Sequence, residues 1–190
     1  MNLPEQKNLS RIKQIAVIYN QAINVFWSVL CFAPIGYFCY VHMAHRWFYI
    51  LLGISLATGF LPNSFYHAIQ FSQNTLSYKK LGIRTIKKYT QDGDLVNRII
   101  KKRYPEYKYV EDSQSLKKYI AKGYVNEKFH FSMFVFFLFT TIYALIFGWF
   151  RWAAIITLTN IIFNVLPVLL QQYNRIRINY LIQKQSASKI

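Results

Sequence analysis

The chain has 190 residues, of which 54% are apolar, 18% aromatic and only 16% charged. Lys and Arg outnumber Asp and Glu by 23 to 7, for a net charge of +16. The apolar content excludes intrinsic disorder. A cysteine count of two, Cys31 and Cys39, excludes a disulfide-stapled scaffold. The length allows a single domain over residues 1–190.

Charge and apolar content are segregated along the chain. Residues 15–40, 47–70, 131–150 and 152–174 carry no Asp, Glu, Lys or Arg. A bilayer crossing needs about 20 mostly apolar residues, so each stretch is long enough. The first reads as a retained span. It is too long for a signal-peptide core, and Asn20, Gln21 and Asn24 interrupt its start. The second is the weakest, because Pro62, Asn63 and His67 make its far end polar. It reads as a kinked span or as one that ends near Leu61. The third, FSMFVFFLFTTIYALIFGWF, is almost wholly apolar. The expected fold is an all-α membrane protein with about four transmembrane helices, near 15–40, 47–69, 130–150 and 152–173. A basic cytoplasmic segment, 72–128, separates the second from the third.

Of the 23 basic residues, only Arg46 and Arg151 fall in the two short connections. The other basic residues flank the far ends of the stretches, and the positive-inside rule places both termini and the middle segment in the cytoplasm. These flanks account for the charge, so no nucleic-acid partner is expected. Anionic lipid headgroups are the expected partner of the basic face.

The 57 residues of the middle segment are too few for a well-buried soluble core. Asp94 is placed to cap a helix LVNRIIKKRY that ends at Pro105. Leu95, Ile99 and Ile100 lie near one face, with Lys101, Lys102 and Arg103 around it, a pattern suited to a membrane surface. A second short helix is expected over 113–121, stopped by Gly123. Neither a GxxxxGK[ST] nor a GxGxxG motif is present.

Glu127 and His130 are three residues apart at the mouth of the third stretch. Two readings stand. They are polar residues of the headgroup zone, or the carboxylate fixes the imidazole tautomer of a general base. In the fourth stretch Asn160, Asn164, Pro167 and Gln171 share one helix face. Such residues either bond between helices or line a polar site. Tyr173, Asn174, Arg175 and Arg177 follow at once. The two arginines are ordinary boundary charges or a clamp for an anionic group. Asn63 and His67 satisfy freed backbone beside Pro62 or join the same pocket. His42 and His45 read as interfacial anchors, and no metal site or bound cofactor is expected. No GxSxG elbow supports a serine nucleophile.

The run Asn164-Val165-Leu166-Pro167-Val168-Leu169-Leu170-Gln171-Gln172-Tyr173-Asn174-Arg175-Ile176-Arg177 resembles a signature of the glycosyl-4,4'-diaponeurosporenoate acyltransferase family. The Glu127-x-x-His130 pair and the basic stretch YKKLGIRTIKKYTQDG are also similar to that family. Gln172 stands where the family commonly has Arg, and residues 72–75 carry no acid.

The resemblance implies a bacterial inner-membrane enzyme of carotenoid end-processing. It implies acyl transfer from a thioester donor, acyl-CoA or acyl carrier protein, to a hydroxyl of a glycosylated or isoprenoid-type membrane lipid. His130 would take the hydroxyl proton and Glu127 would orient it. Asn164 or Gln171 would donate to the oxyanion, and Arg175 and Arg177 would hold the carrier phosphate. Asn160, Tyr173 and Asn174 complete the expected substrate site. The competing reading is a non-catalytic scaffold of a lipid or pigment pathway. Oligomeric state is left open by the sequence.

Overall fold

A computed structural model describes residues 3–90, 94–105 and 113–187. Among the described residues every regular element is helical. Helix α1, Leu3–His42, runs unbroken through Pro34. Helix α2, His45–Ala57, follows after a two-residue break.

The second apolar stretch does not form one long helix. α2 has 13 residues, or about 20 Å of axis, against about 30 Å of hydrocarbon. It passes into a 3₁₀ turn, Thr58–Phe60, and then into extended backbone at Leu61. Pro62 explains the break, because its ring pushes the preceding residue out of helical geometry. A six-residue helix, α3, Asn63–Ala68, resumes beyond it. Three helical segments, not four, are therefore long and apolar enough to cross a bilayer: Gln14–His42, Lys118–Ile146 and Phe150–Gln183.

Beyond α3, Asn74 caps α4, Thr75–Lys80, by accepting from Leu76 N–H at 2.9 Å. Helix α5, Ile83–Ile86, starts from Gly82 at φ 75°, a left-handed conformation that glycine adopts at little cost. Tyr78 and Ile83 from this pair pack on Leu170 and Tyr173. Helix α6, Asp94–Arg103, lies where the sequence places it. Ile100 is buried against Ile12 and Ala16 of α1, so α6 docks on protein through that residue. Ile99 stays exposed. The side chains of Asp94 and Leu95, and with them the expected cap, lie outside the described residues.

Helix α7, Ser113–Ile146, is continuous, so Gly123 does not stop it and no separate helix covers 113–121. One glycine costs a helix only about 1 kcal/mol, which the packing of a 34-residue helix outweighs. Gly148, at φ 77°, ends the run. Gly148 N–H donates to the Leu145 carbonyl and Trp149 N–H to the Ala144 carbonyl, the paired bonds of a Schellman turn. Helix α8, Phe150–Asn160, then leads through a π turn, Ile161–Val165, into α9, Leu166–Ala187.

Ring contacts fix the directions. Phe32 meets Phe137 and Phe38 meets Tyr143, so α1 and α7 run parallel. Phe48 meets Phe136 and Tyr66 meets Phe131, so α2 and α3 descend along α7. α8 and α9 descend beside them, because Asn160 reaches the Phe134 carbonyl and Arg175 reaches Glu127. The core is a layer of Ile35, Phe38, Phe136, Phe137, Ala144 and Ile156. Opposite the α7–α8 turn lies the basic end, where α4 and α5 pack on α9, α3 on α7 and α6 on α1.

Candidate functional site

Two polar neighbourhoods occupy the basic end, both built on α7 and α9. The first centres on Glu127, which is fully buried. Its Oε2 pairs with Arg175 Nη1. Its Oε1 accepts from Gln172 Nε2 at 3.1 Å. Gln172 Oε1 in turn accepts from the Tyr78 hydroxyl and from Phe71 N–H, each at 3.1 Å. Arg175 also donates from Nη2 to Gln70 Oε1 at 2.8 Å and to the Tyr66 carbonyl at 3.4 Å. Its guanidinium lies 4.6 Å over the Tyr124 ring. Burial and ligation here satisfy the charge from both sides, as a buried ion pair requires.

This arrangement revises two expected roles. Glu127 is held by Arg175 and Gln172 and makes no hydrogen bond to His130 among the described residues. Arg175 is spent on protein acceptors. Arg177 is exposed and lies 5.5 Å over the Tyr173 ring, and Tyr173 is itself buried against Tyr78 and Ile83. The two arginines therefore do not form one clamp.

The second neighbourhood is a pocket of about 660 Å³ between α1, the α5 region, α7 and α9. That is a usual size for a small-molecule site. His130, Gln171 and Asn174 line it. His130 is half-buried, with its ring 5.3 Å from Phe163. Asn164 and the Phe163 backbone face the imidazole. His130 Nδ1 and Asn164 Oδ1 are both buried with no hydrogen-bond partner. Asn164 spends its amide on Asn160 Oδ1 at 2.9 Å, and Asn160 donates to the Phe134 carbonyl at 3.2 Å. Asn164 thus turns an acceptor toward His130, which suits holding an N–H and not donating to an oxyanion. Of the two oxyanion donors expected, only Gln171 reaches the pocket.

The π turn places these groups. Pro167 has no N–H, so the Phe163 carbonyl one turn earlier loses its helical partner. The widened turn before Pro167 carries both Phe163 and Asn164. Such turns recur at functional sites.

Asn63 and His67 are exposed and join neither neighbourhood, whereas Tyr66 and Gln70 of the same segment reach Arg175. Sequence reasoning missed Tyr66, Gln70, Tyr78 and Gln172, whose partners are far off along the chain. It also missed Asn126, which lines the pocket one turn from His130. That i, i+4 relationship was the available signal. Among the described residues no three His, Cys, Asp or Glu side chains converge as a metal site.

Fold and site together define an all-helical protein with three helices able to cross a bilayer and a deep pocket at its basic end. The family model for glycosyl-4,4'-diaponeurosporenoate acyltransferase matches residues 62–184, and the chain belongs to that family. The family's name points to acyl transfer in carotenoid biosynthesis. The match begins at Pro62 and takes in the whole Glu127–Arg175 cluster, leaving α1 outside it. No match was found among curated proteins or among solved structures.

Proposed function

We propose that this protein transfers a fatty acyl group from a thioester donor to a hydroxyl of a glycosylated or isoprenoid-type lipid. His130 takes the proton of the acceptor hydroxyl as its oxygen attacks the thioester carbonyl. The carbon–sulfur bond breaks, an ester forms, and the thiolate leaves and is protonated. Asn164 Oδ1, buried with its acceptor site unfilled, is the group placed to take the imidazole N–H, the role first expected of Glu127. Gln171 lines the same pocket. A positioned base of this kind is worth about 10²–10⁴ in rate.

The observation that carries the reading is the convergence of His130, Gln171 and Asn174 on one pocket in a chain of this family. In this scheme the protein sits in the bacterial cytoplasmic membrane with both termini and the basic end inside. Exposed Lys79, Lys80, Arg84, Lys101 and Lys102 then face anionic headgroups. The broken α2–α3 segment accompanies α7 through the bilayer.

The test is lipid mass spectrometry on a deletion strain complemented with wild type or with His130→Ala at matched protein level. A lipid heavier by one fatty acyl unit is expected with wild type only. Identical lipids in the two complemented strains would refute the role of His130. Identical lipids in all three strains would refute acyl transfer.

A further inference from the structure

Lys122, Asn126 and His130 are spaced i, i+4 and i+8 on α7, and all three line the 660 Å³ pocket. They therefore form one file along a single helix face. The file begins at the basic end and finishes beside Phe163. From Tyr119, which also lines the pocket, to His130 is roughly 16 Å of helix axis. Across from the file, α9 contributes Asn174 and Gln171, and α1 contributes Asn24 and Gln21. Lys87 lines the pocket from the turn after α5. No Asp or Glu is among the described lining residues.

This is an ordered set of chemistries. A cation stands at the mouth, neutral amides line the middle, and an imidazole stands at the inner end. Amide side chains donate and accept at once, so they match amides and not charges. Among the described residues, no wall carboxylate stands against an anion at the mouth.

We propose that the pocket is a corridor for a phosphopantetheine arm, with the phosphate at Lys122 and Lys87. The two amides of the arm lie against Asn126, Gln171, Asn174 and Asn24, and its thioester reaches His130. The inference rests on the acyl-transfer reading and names where its donor binds. It moves the phosphate from Arg175 and Arg177, which are turned elsewhere, to lysines on the pocket itself. It also separates the two substrates. The donor enters from the basic end, and the lipid acceptor meets it where Ser28 and Ile162 line the inner pocket.

The experiment is titration calorimetry on the full chain in phosphatidylcholine nanodiscs, with coenzyme A, 4'-phosphopantetheine, adenosine 3',5'-bisphosphate and inorganic phosphate as separate probes. Saturable binding of coenzyme A and 4'-phosphopantetheine is expected, with the arm-less nucleotide and phosphate binding at least about tenfold more weakly. Asn126→Leu and Lys122→Ala should each weaken coenzyme A by about tenfold, and exposed Lys79→Ala should leave it unchanged. Repeating the titration in phosphatidylglycerol nanodiscs asks whether a lipid headgroup takes the phosphate position. Loss of coenzyme A binding only there supports the same cationic mouth.

Coenzyme A that fails to bind folded protein, or that binds Asn126→Leu and Lys122→Ala as tightly as wild type, overturns the corridor. So does a nucleotide half that binds as tightly as coenzyme A. If such failure accompanies His130-dependent lipid acylation in cells, the reaction stands and the corridor falls. If coenzyme A binds as expected but no lipid is acylated, the corridor stands and the acyl-transfer reading falls.

Discussion

Glu127 and His130 lie three residues apart on α7 yet belong to different neighbourhoods. Glu127 bonds Gln172 and pairs with Arg175, whereas His130 packs on Phe163 and lines the pocket. The two residues should therefore fail in different ways. His130→Ala should keep wild-type thermal stability in detergent and lose about 10²–10⁴ in acyl transfer. Glu127→Ala should lose stability first. A His130→Ala protein that unfolds, or a Glu127→Ala protein that is stable but inactive, would contradict this division.

The cost at Glu127 has a definite size. Removing one partner of a buried ion pair leaves the other charge uncompensated, at about 3–5 kcal/mol. Arg175→Met should cost the same range, because Glu127 is fully buried. Glu127→Gln combined with Arg175→Met removes both charges, and should recover a large part of the loss. Denaturant midpoints for the two single variants and the double give the coupling directly. Additive losses would mean that the pair is not a unit.

Pro167 makes a different prediction, because its effect is on geometry. Pro167→Ala restores an N–H that can bond the Phe163 carbonyl and draw the π turn toward α-helical pitch. Stability should rise or stay level. Phe163 and Asn164 would rotate with the turn, so the hold on the His130 ring should loosen and acyl transfer should fall about tenfold or more. Retained activity in a stabilised variant would show that the turn does not position the imidazole.

The long apolar helices were legible because bilayer length and hydropathy act locally, over consecutive residues. α1, α7 and the α8–α9 run lie where the uncharged stretches predicted helix, and α6, Asp94–Arg103, overlaps the helix read over 95–104. At 47–70 Pro62 left two readings, a kinked span or one ending near Leu61, and the helix does break at Leu61. One local signal misled. Gly123 read as a stop, but α9 packs beside it, with Gln171 Oε1 3.5 Å from where a Cβ would stand. The site was half legible. Periodicity brought Asn160 and Asn164 together correctly, and they bond each other. Periodicity also paired Glu127 with His130, since it knows only neighbours on one helix. The partners Glu127 takes are 45 and 48 residues away, a choice that tertiary packing makes and spacing cannot.

Tyr78 supplies a prediction in pH. Its single hydroxyl proton is shared between the Ser72 carbonyl at 3.0 Å and Gln172 Oε1 at 3.1 Å, so both contacts need that proton. Burial, aided by the Glu127 carboxylate, raises its pKa above 10.0, against the opposing pull of the Ser72 bond and Arg175. A folded state that holds the proton more tightly than the unfolded state loses stability as pH climbs past the unfolded value. The loss should begin near pH 10 and deepen until the folded pKa is passed. Tyr78→Phe should be about 1–2 kcal/mol less stable at pH 7, because a buried bond to Gln172 is lost. It should also show a shallower alkaline decline than wild type in melting temperature between about pH 9 and 11. Parallel declines in the two proteins would mean that another group controls the alkaline limb.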